Sequence, residues 1–337
     1  MRRVPPLHAD LVLEGGGVKG IALAGAVRAL AGAGYRFPRI AGTSAGALVG
    51  ALAVGLQHAG EPMDRLADIA LSVDYRRFRD RGPLGRVAGP LTGLVDGLSL
   101  ALESGVFEGE YLRSWVAGVL ADLGVRTFGD LRVDDPGSAL PPEHRYALVV
   151  TASDVSRQRL VRWPWDYPAY GLDPDEQSVA DAVRASASIP FYYEPVTLRS
   201  PDGDVATLVD GGVLSNFPIA LFDRTDQRPP RWPTFGVRLS ARPEGRVHTQ
   251  AVRGPVSLAL AVVETMLEAC DAAHIDDPCV QARSVFVDTS GVSPVDFALT
   301  DEQQRALLAA GERATAQFLA SWDWPAYLRR CRGVVPS

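Results

Sequence analysis

A run of three glycines between an apolar strand-like segment and a small-residue helix is the strongest constraint on how this 337-residue chain folds. Asp10-Leu11-Val12-Leu13 leads into Glu14-Gly15-Gly16-Gly17-Val18-Lys19-Gly20, and Ile21 to Val27 leads out with helical spacing. A loop at such a junction presents backbone N–H groups at a helix N-terminus, where the helix dipole favours negative charge. The chain therefore contains a strand–loop–helix unit suited to an anion. Lys19, the only lysine in the sequence, lies inside it.

With 47% hydrophobic residues the chain has enough apolar side chains for a substantial core. A net charge of −6 argues against a nucleic-acid partner, whose phosphates call for a basic face. Met1-Arg2-Arg3 is not followed by an apolar segment of signal-peptide length, and the longest apolar stretch, Gly46 to Leu56, falls short of the roughly 20 residues that span a bilayer. Cys270, Cys279 and Cys331 are odd in number and lack a Cys-x-x-Cys spacing, which fits a reducing cytoplasm. Cys270, His274 and Cys279 have no fourth ligand at a structural-zinc spacing, so neither metal nor cofactor is expected.

Strand-like runs recur between helical ones, at Leu11–Leu13, Arg39–Gly42, Tyr146–Thr151, Leu160–Trp163, Thr207–Val209, Thr234–Leu239 and Val285–Val287. That alternation predicts an α/β fold, a three-layer α/β/α sandwich around a mainly parallel sheet. Gly46–Leu56 is apolar nearly all round and reads as a buried helix. Thr300-Asp301-Glu302-Gln303 has capping-box spacing, so a surface helix over Arg305–Trp322 is expected to close the chain. No repeat or long linker divides the sequence. One domain over 1–337 is expected, with Asp80–Phe107, rich in Gly, Leu and Pro without a period, as a candidate lid.

Two further motifs carry chemistry. Gly42-Thr43-Ser44-Ala45-Gly46 is a Gly-x-Ser-x-Gly at a strand-to-helix junction, where a tight turn lifts a serine Oγ out of the backbone. Asp210-Gly211-Gly212 follows the strand-like Ala206–Val209 and offers a carboxylate as general base for Ser44. Asp154 is the second candidate for that base, with hydrogen bonding to loop amides as its other reading. None of His8, His58, His144, His248 and His274 stands beside a glycine-rich strand end. The glycine loop alone leaves its guest open, because Gly15-x-Gly17-x-x-Gly20 also satisfies the dinucleotide fingerprint and Arg36 or Arg39 would suit NADP. A P-loop fits less well still, because Gly20 stands where Ser or Thr would bind magnesium.

In this order, the three motifs resemble the patatin-like phospholipases, whose members carry Gly-Gly-Gly-x-[Lys/Arg]-Gly, Gly-x-Ser-x-Gly and Asp-Gly-[Ala/Gly]. Ala185-Ser186-Ala187-Ser188-Ile189-Pro190 is similar to that family's small-residue stretch before the base. The resemblance is strong over about residues 10–220 and loose to Trp324. It implies a serine lipid acyl hydrolase with Ser44 as nucleophile and Asp210 as base. Gly15, Gly16, Gly17 and Lys19 then form the oxyanion site, supported by Gly20, Gly42, Gly46, Gly211 and Gly212. The substrate it implies is a phospholipid or lysophospholipid acyl ester, met by a cytoplasmic protein with a candidate peripheral membrane contact. Asp74–Arg81, with four arginines and two aromatics, and the pairs Trp163/Trp165 and Trp322/Trp324 are surface-contact candidates whose other readings are a solvated helix face and core packing. A lipid-binding or regulatory protein of the same fold with little hydrolysis is the alternative, and the dinucleotide reading leaves Ser44 and Asp210 unexplained.

Overall fold

A computed structural model of the chain describes residues 7–78, 107–226, 228–239, 261–262, 265–266 and 276–333. The candidate lid at 80–107 lies outside these residues apart from Phe107. In chain order the strands are β1 (Leu7–His8), β2 (Asp10–Leu13), β3 (Tyr35–Arg36), β4 (Ile40–Thr43), β5 (Leu148–Asp154), β6 (Arg159–Trp163), β7 (Val196–Arg199), β8 (Val205–Asp210), β9 (Thr234–Arg238) and β10 (Ser284–Phe286). The helices are α1 (Gly20–Gly32), α2 (Ala45–His58), α3 (Arg65–Ser72), α4 (Glu110–Asp122), α5 (Val179–Ser186), α6 (Pro278–Ala282), α7 (Asp301–Ser321) and α8 (Trp324–Arg332).

The main sheet runs β10-β9-β2-β4-β5-β8-β7, with β6 also paired to β5. From β10 to β5 every pairing is parallel. Those strands are covered on both faces, which is why β2, β4, β5 and β9 are buried throughout and read as short apolar runs without alternation. Beyond β5 the pairings become antiparallel, and β7 alternates between half-buried and exposed, as an edge strand does. Helices lie against both faces, giving the expected α/β/α sandwich around a mostly parallel sheet. Each strand-like run named from the sequence falls on one of these strands. The two-residue β1 and β3, which pair with each other, and the edge strand β7 were too short or too exposed to show in the hydrophobic pattern.

Helix α2 is buried along almost its whole length, as its composition predicts. The expected capping box forms at Thr300 and Gln303. Two expectations for the C-terminal part are corrected. Helix α7 buries Leu307, Leu308 and Thr315 and packs along α1, so it is a half-buried layer helix, and it does not close the chain, because α8 follows. Cys279 of α6 and Cys331 of α8 form a disulfide with Cα atoms 5.6 Å apart, contrary to the reading of the cysteines as thiols of a reducing compartment. Pairing depends on distance in the fold, and an odd count with no close spacing says nothing about that. Among the described residues no helix is long and apolar enough to cross a membrane.

Candidate active site

Strand β5 brings the two candidate catalytic residues together by being paired along one edge to two different strands. Val150 and Thr151 pair with β4 on one side and β6 on the other, while Ala152 to Asp154 pair with β6 and β8. Strands β4 and β8 therefore share an edge of β5, approach each other from opposite directions and meet by their C-terminal ends. Thr43 lies opposite Thr151 and Asp210 opposite Ala152, at successive register positions. Ser44 is the residue after Thr43. The hydroxyls of Thr43 and Thr151 share a buried hydrogen bond of 2.6 Å beneath it.

Ser44 has φ 53° and ψ −119° and is the N-cap of α2. A non-glycine residue in that conformation stores about 1–3 kcal/mol of strain, which the surroundings must hold in place. Its carbonyl accepts the Leu48 amide at 3.1 Å, the first turn of α2, and its own amide donates to the Ser186 hydroxyl at 2.8 Å. Strand and helix meet so closely that a Cβ on Gly42 would lie 2.2 Å from the Gly46 carbonyl oxygen. The spacing of that motif is thus a packing requirement of the turn.

Asp210 is 2% exposed. Its carboxylate lies beside the Ser44 hydroxyl and accepts the Gly212 amide at 2.9 Å, and its own amide donates to the Ser188 carbonyl at 2.8 Å. Burial pushes the carboxyl up to about 6, and the neighbouring Ser44 hydroxyl and Gly212 amide pull it part of the way back. Gly211 and Gly212 open the buried turn that follows. That turn leads to Asn216, whose carbonyl accepts the Gly15 amide at 3.2 Å and whose Nδ2 donates to the Gly15 carbonyl at 3.4 Å.

The glycine loop is thereby clasped beside the serine. A Cβ on Gly15 would lie 3.1 Å from Ser44 Cβ and 2.2 Å from Asn216 Oδ1, so a side chain there would displace the Asn216 amide and crowd the serine. Gly17 has φ +55°, and the next amide, of Val18, donates to the Pro294 carbonyl at 3.0 Å. Among the described residues the amides of Gly16 and Gly17 have no acceptor. Lys19 is half-buried at the end of the 3-10 turn Gly17–Lys19, and Gly20 begins α1. Glu14, at the base of the loop, forms a buried ion pair with Arg238 at 2.8 Å and accepts the Leu239 amide at 2.5 Å. The site can draw a proton from a hydroxyl and has two amides available beside it.

Other sequence candidates fall elsewhere. Asp154 is fully buried and accepts the amides of Ser156 and Arg157, each at 3.0 Å, and the Tyr170 hydroxyl at 2.7 Å, so it holds a loop. His8 packs on Trp232 and His144 stacks on Trp165, while His248 and His274 lie outside the described residues. Arg39 forks onto Asp10 at the start of β2, the opposite end of the strand from the glycine loop, and Arg36 sits in β3. Neither reaches a phosphate held by the loop, so the NADP reading loses its ribose-phosphate partner. Trp163 and Trp165 are core residues, and Trp322 and Trp324 belong to an aromatic cluster with Phe318 and Tyr327. Of Asp74–Arg81, the described residues 74–78 hold a 3-10 turn with Asp74, Arg76 and Arg77 exposed, Phe78 buried and Arg77 over the Tyr111 ring. Ser186, Asn216 and Pro294 were not singled out from the sequence. Only Ser186 had a signal there, its place in the small-residue stretch.

Comparison with known proteins agrees with the geometry. A family model described as Patatin-like phospholipase matches residues 11–223, a span that holds the glycine loop, Ser44 and Asp210. A Bacillus subtilis (strain 168) protein named Uncharacterized protein YqhO is 36% identical over 318 residues, covering 94% of this chain and 100% of its own length. Among solved structures, VipD from Legionella pneumophila superposes with a TM-score of 0.50 at 18% identity, covering 98% of this chain and 72% of VipD. At that identity the likeness concerns the fold alone.

Proposed function

The chain belongs to the patatin-like phospholipase family, and from that membership we propose that it hydrolyses acyl esters of phospholipids or lysophospholipids with a Ser44–Asp210 dyad. The observation that carries the reading is the buried Asp210 carboxylate, brought beside the Ser44 hydroxyl by the register of β4 and β8 on β5 and pushed up to about 6. A carboxylate of ordinary pKa is a poor base for an alcohol. Burial raises its basicity, and its place beside the hydroxyl gives the proton somewhere to go as the C–O bond forms.

In this reading Ser44 Oγ attacks the ester carbonyl carbon and its proton moves to Asp210. The negative charge gathers on the former carbonyl oxygen, beside the amides of Gly16 and Gly17. One such donor commonly lowers the barrier by about 3 kcal/mol. Collapse expels the alcohol, which takes the proton from Asp210, and leaves an acyl ester on Ser44. Asp210 then takes a proton from the water that attacks that ester and returns it to Ser44 Oγ as the bond between Oγ and the acyl carbon breaks, so free fatty acid leaves and the dyad is restored.

Labelling of Ser44 by a fluorophosphonate, read by mass spectrometry, together with fatty acid release from phosphatidylcholine or lysophosphatidylcholine, tests the reading. Wild-type protein is expected to label and to release fatty acid, and Ser44→Ala to do neither. Folded protein that takes no label, or activity that survives in Ser44→Ala, overturns it.

A further inference from the structure

The end of α5 and the residues just past it grip both members of the proposed dyad, and the reaction as written gives them no part. Ser186, with no exposed surface, accepts the Ser44 amide at 2.8 Å. Two residues on, the Ser188 carbonyl accepts the Asp210 amide, also at 2.8 Å. A single three-residue span therefore fixes the backbone at the nucleophile and at the base, which the sequence keeps far apart.

The span is itself fastened. Arg184, 6% exposed, reaches the Ser188 hydroxyl and the Glu108 carbonyl and donates to the Glu194 carbonyl at 3.0 Å. The Ser188 hydroxyl returns a bond to the Arg184 carbonyl at 2.8 Å. A buried guanidinium thus ties the end of α5 to the segment entering α4 and to the segment leading to β7.

We infer that Ser186 and Arg184 are positioning residues for the Ser44–Asp210 dyad. Ser186 orients the peptide plane that enters Ser44, and Arg184 holds the turn that carries Ser186 and Ser188. The inference rests on the dyad reading above. Its physical basis is the positive φ of Ser44: the plane of the preceding peptide sets where Oγ points, and the bond to Ser186 is what holds that plane. Remove the acceptor and a buried N–H is left unsatisfied, so the plane relaxes toward another partner. The same bond commits the Ser44 amide, which leaves oxyanion stabilisation to the glycine loop.

The test measures kinetics per active site, counted by fluorophosphonate titration. For Ser186→Ala, kcat and the second-order labelling rate are expected to fall together by about tenfold to a hundredfold, the cost of an ångström-scale misplacement, with KM nearly unchanged. Ser186→Thr, which keeps a hydroxyl, is expected to recover part of the loss. A merely structural role would lower the melting temperature and the titrated fraction but leave the rate per titrated site alone. If Ser186→Ala does not fold, Arg184→Lys takes its place, because one ammonium cannot serve three acceptors spread across a guanidinium, and a roughly three- to tenfold fall per site is expected. A per-site rate equal to wild type in the folded variant overturns the inference while leaving the dyad reading intact. Wild-type protein that takes no label overturns both.

Discussion

Asp154 and Asp210 stand at the C-terminal ends of neighbouring antiparallel strands, each buried, yet their surroundings differ in kind. Asp154 pairs in the ladder with Leu208, two residues before Asp210. Its carboxylate is met by two amides and a phenol, and the Arg157 guanidinium stands 3.9 Å away. Asp210 has one amide and the hydroxyl of Ser44. The first is surrounded by donors. The second is desolvated without full compensation, and that shortfall is what lends it basicity. Burial by itself therefore does not mark a base; the number of donors around the buried carboxylate does.

The same substitution should accordingly act in opposite ways at the two positions. Asp210→Asn is expected to lower fatty acid release by about four orders of magnitude, since the group proposed to take the Ser44 proton is gone. Activity within tenfold of wild type would break the contrast. The second expectation concerns stability. The carboxyl of Asp210 stands at about 6 in the fold against 3.8 for an ordinary aspartate, so its contribution to stability is fully present below about pH 3.8 and is lost as pH rises through 6. At pH 8 the native state has given up about 3 kcal/mol, from roughly two units at 1.36 kcal/mol each. Asp210→Asn should recover much of this at pH 8 and little at pH 4, as urea denaturation at the two pH values would read.

Asp154→Asn should instead destabilise the protein by about 2 kcal/mol through weakened bonds to Ser156, Arg157 and Tyr170, with kcat changed by less than about threefold. A catalytic collapse without loss of stability would move the base from Asp210 to Asp154. The smallest effect is on the wild-type pH profile. Because the proposed base works in its ionised form, kcat/KM is expected to be half-maximal near pH 6 and to fall about tenfold per unit below it. A profile flat to pH 4.5 would separate activity from this carboxylate.

Much of the local structure was legible because it rests on short-range rules. The glycine run between Leu13 and Ile21 and the elbow at Ser44 each name their own turn, and the apolar runs of β2, β4, β5 and β9 announce strands covered on both faces. The Thr300 capping box is complete within four residues. Less was legible where the outcome depends on distant partners. The odd cysteine count suggested thiols, yet α6 and α8 lie side by side and bring Cys279 to Cys331. The stretch at 185–190 was visible as a pattern of small residues, but its grip on Ser44 and Asp210 was not, since both bonds are donated by backbone amides, which carry no side-chain signature. The direction of β8 was also hidden, because a strand reads the same parallel or antiparallel.

The sequence by itself determined the turns and the chemistry they can offer: a glycine loop with amides to give, a serine on a strained turn and an aspartate at a strand end. Each follows from φ/ψ preferences and side-chain type over a few residues. Only the tertiary structure decided that they meet. Strand β8 runs against β5 and stops at Ala152, where β4 stops at Thr151, and this head-on arrangement puts Asp210 against Ser44 and away from water. Register and burial are properties of the whole sheet, and they alone turned an ordinary carboxyl into one raised to about 6.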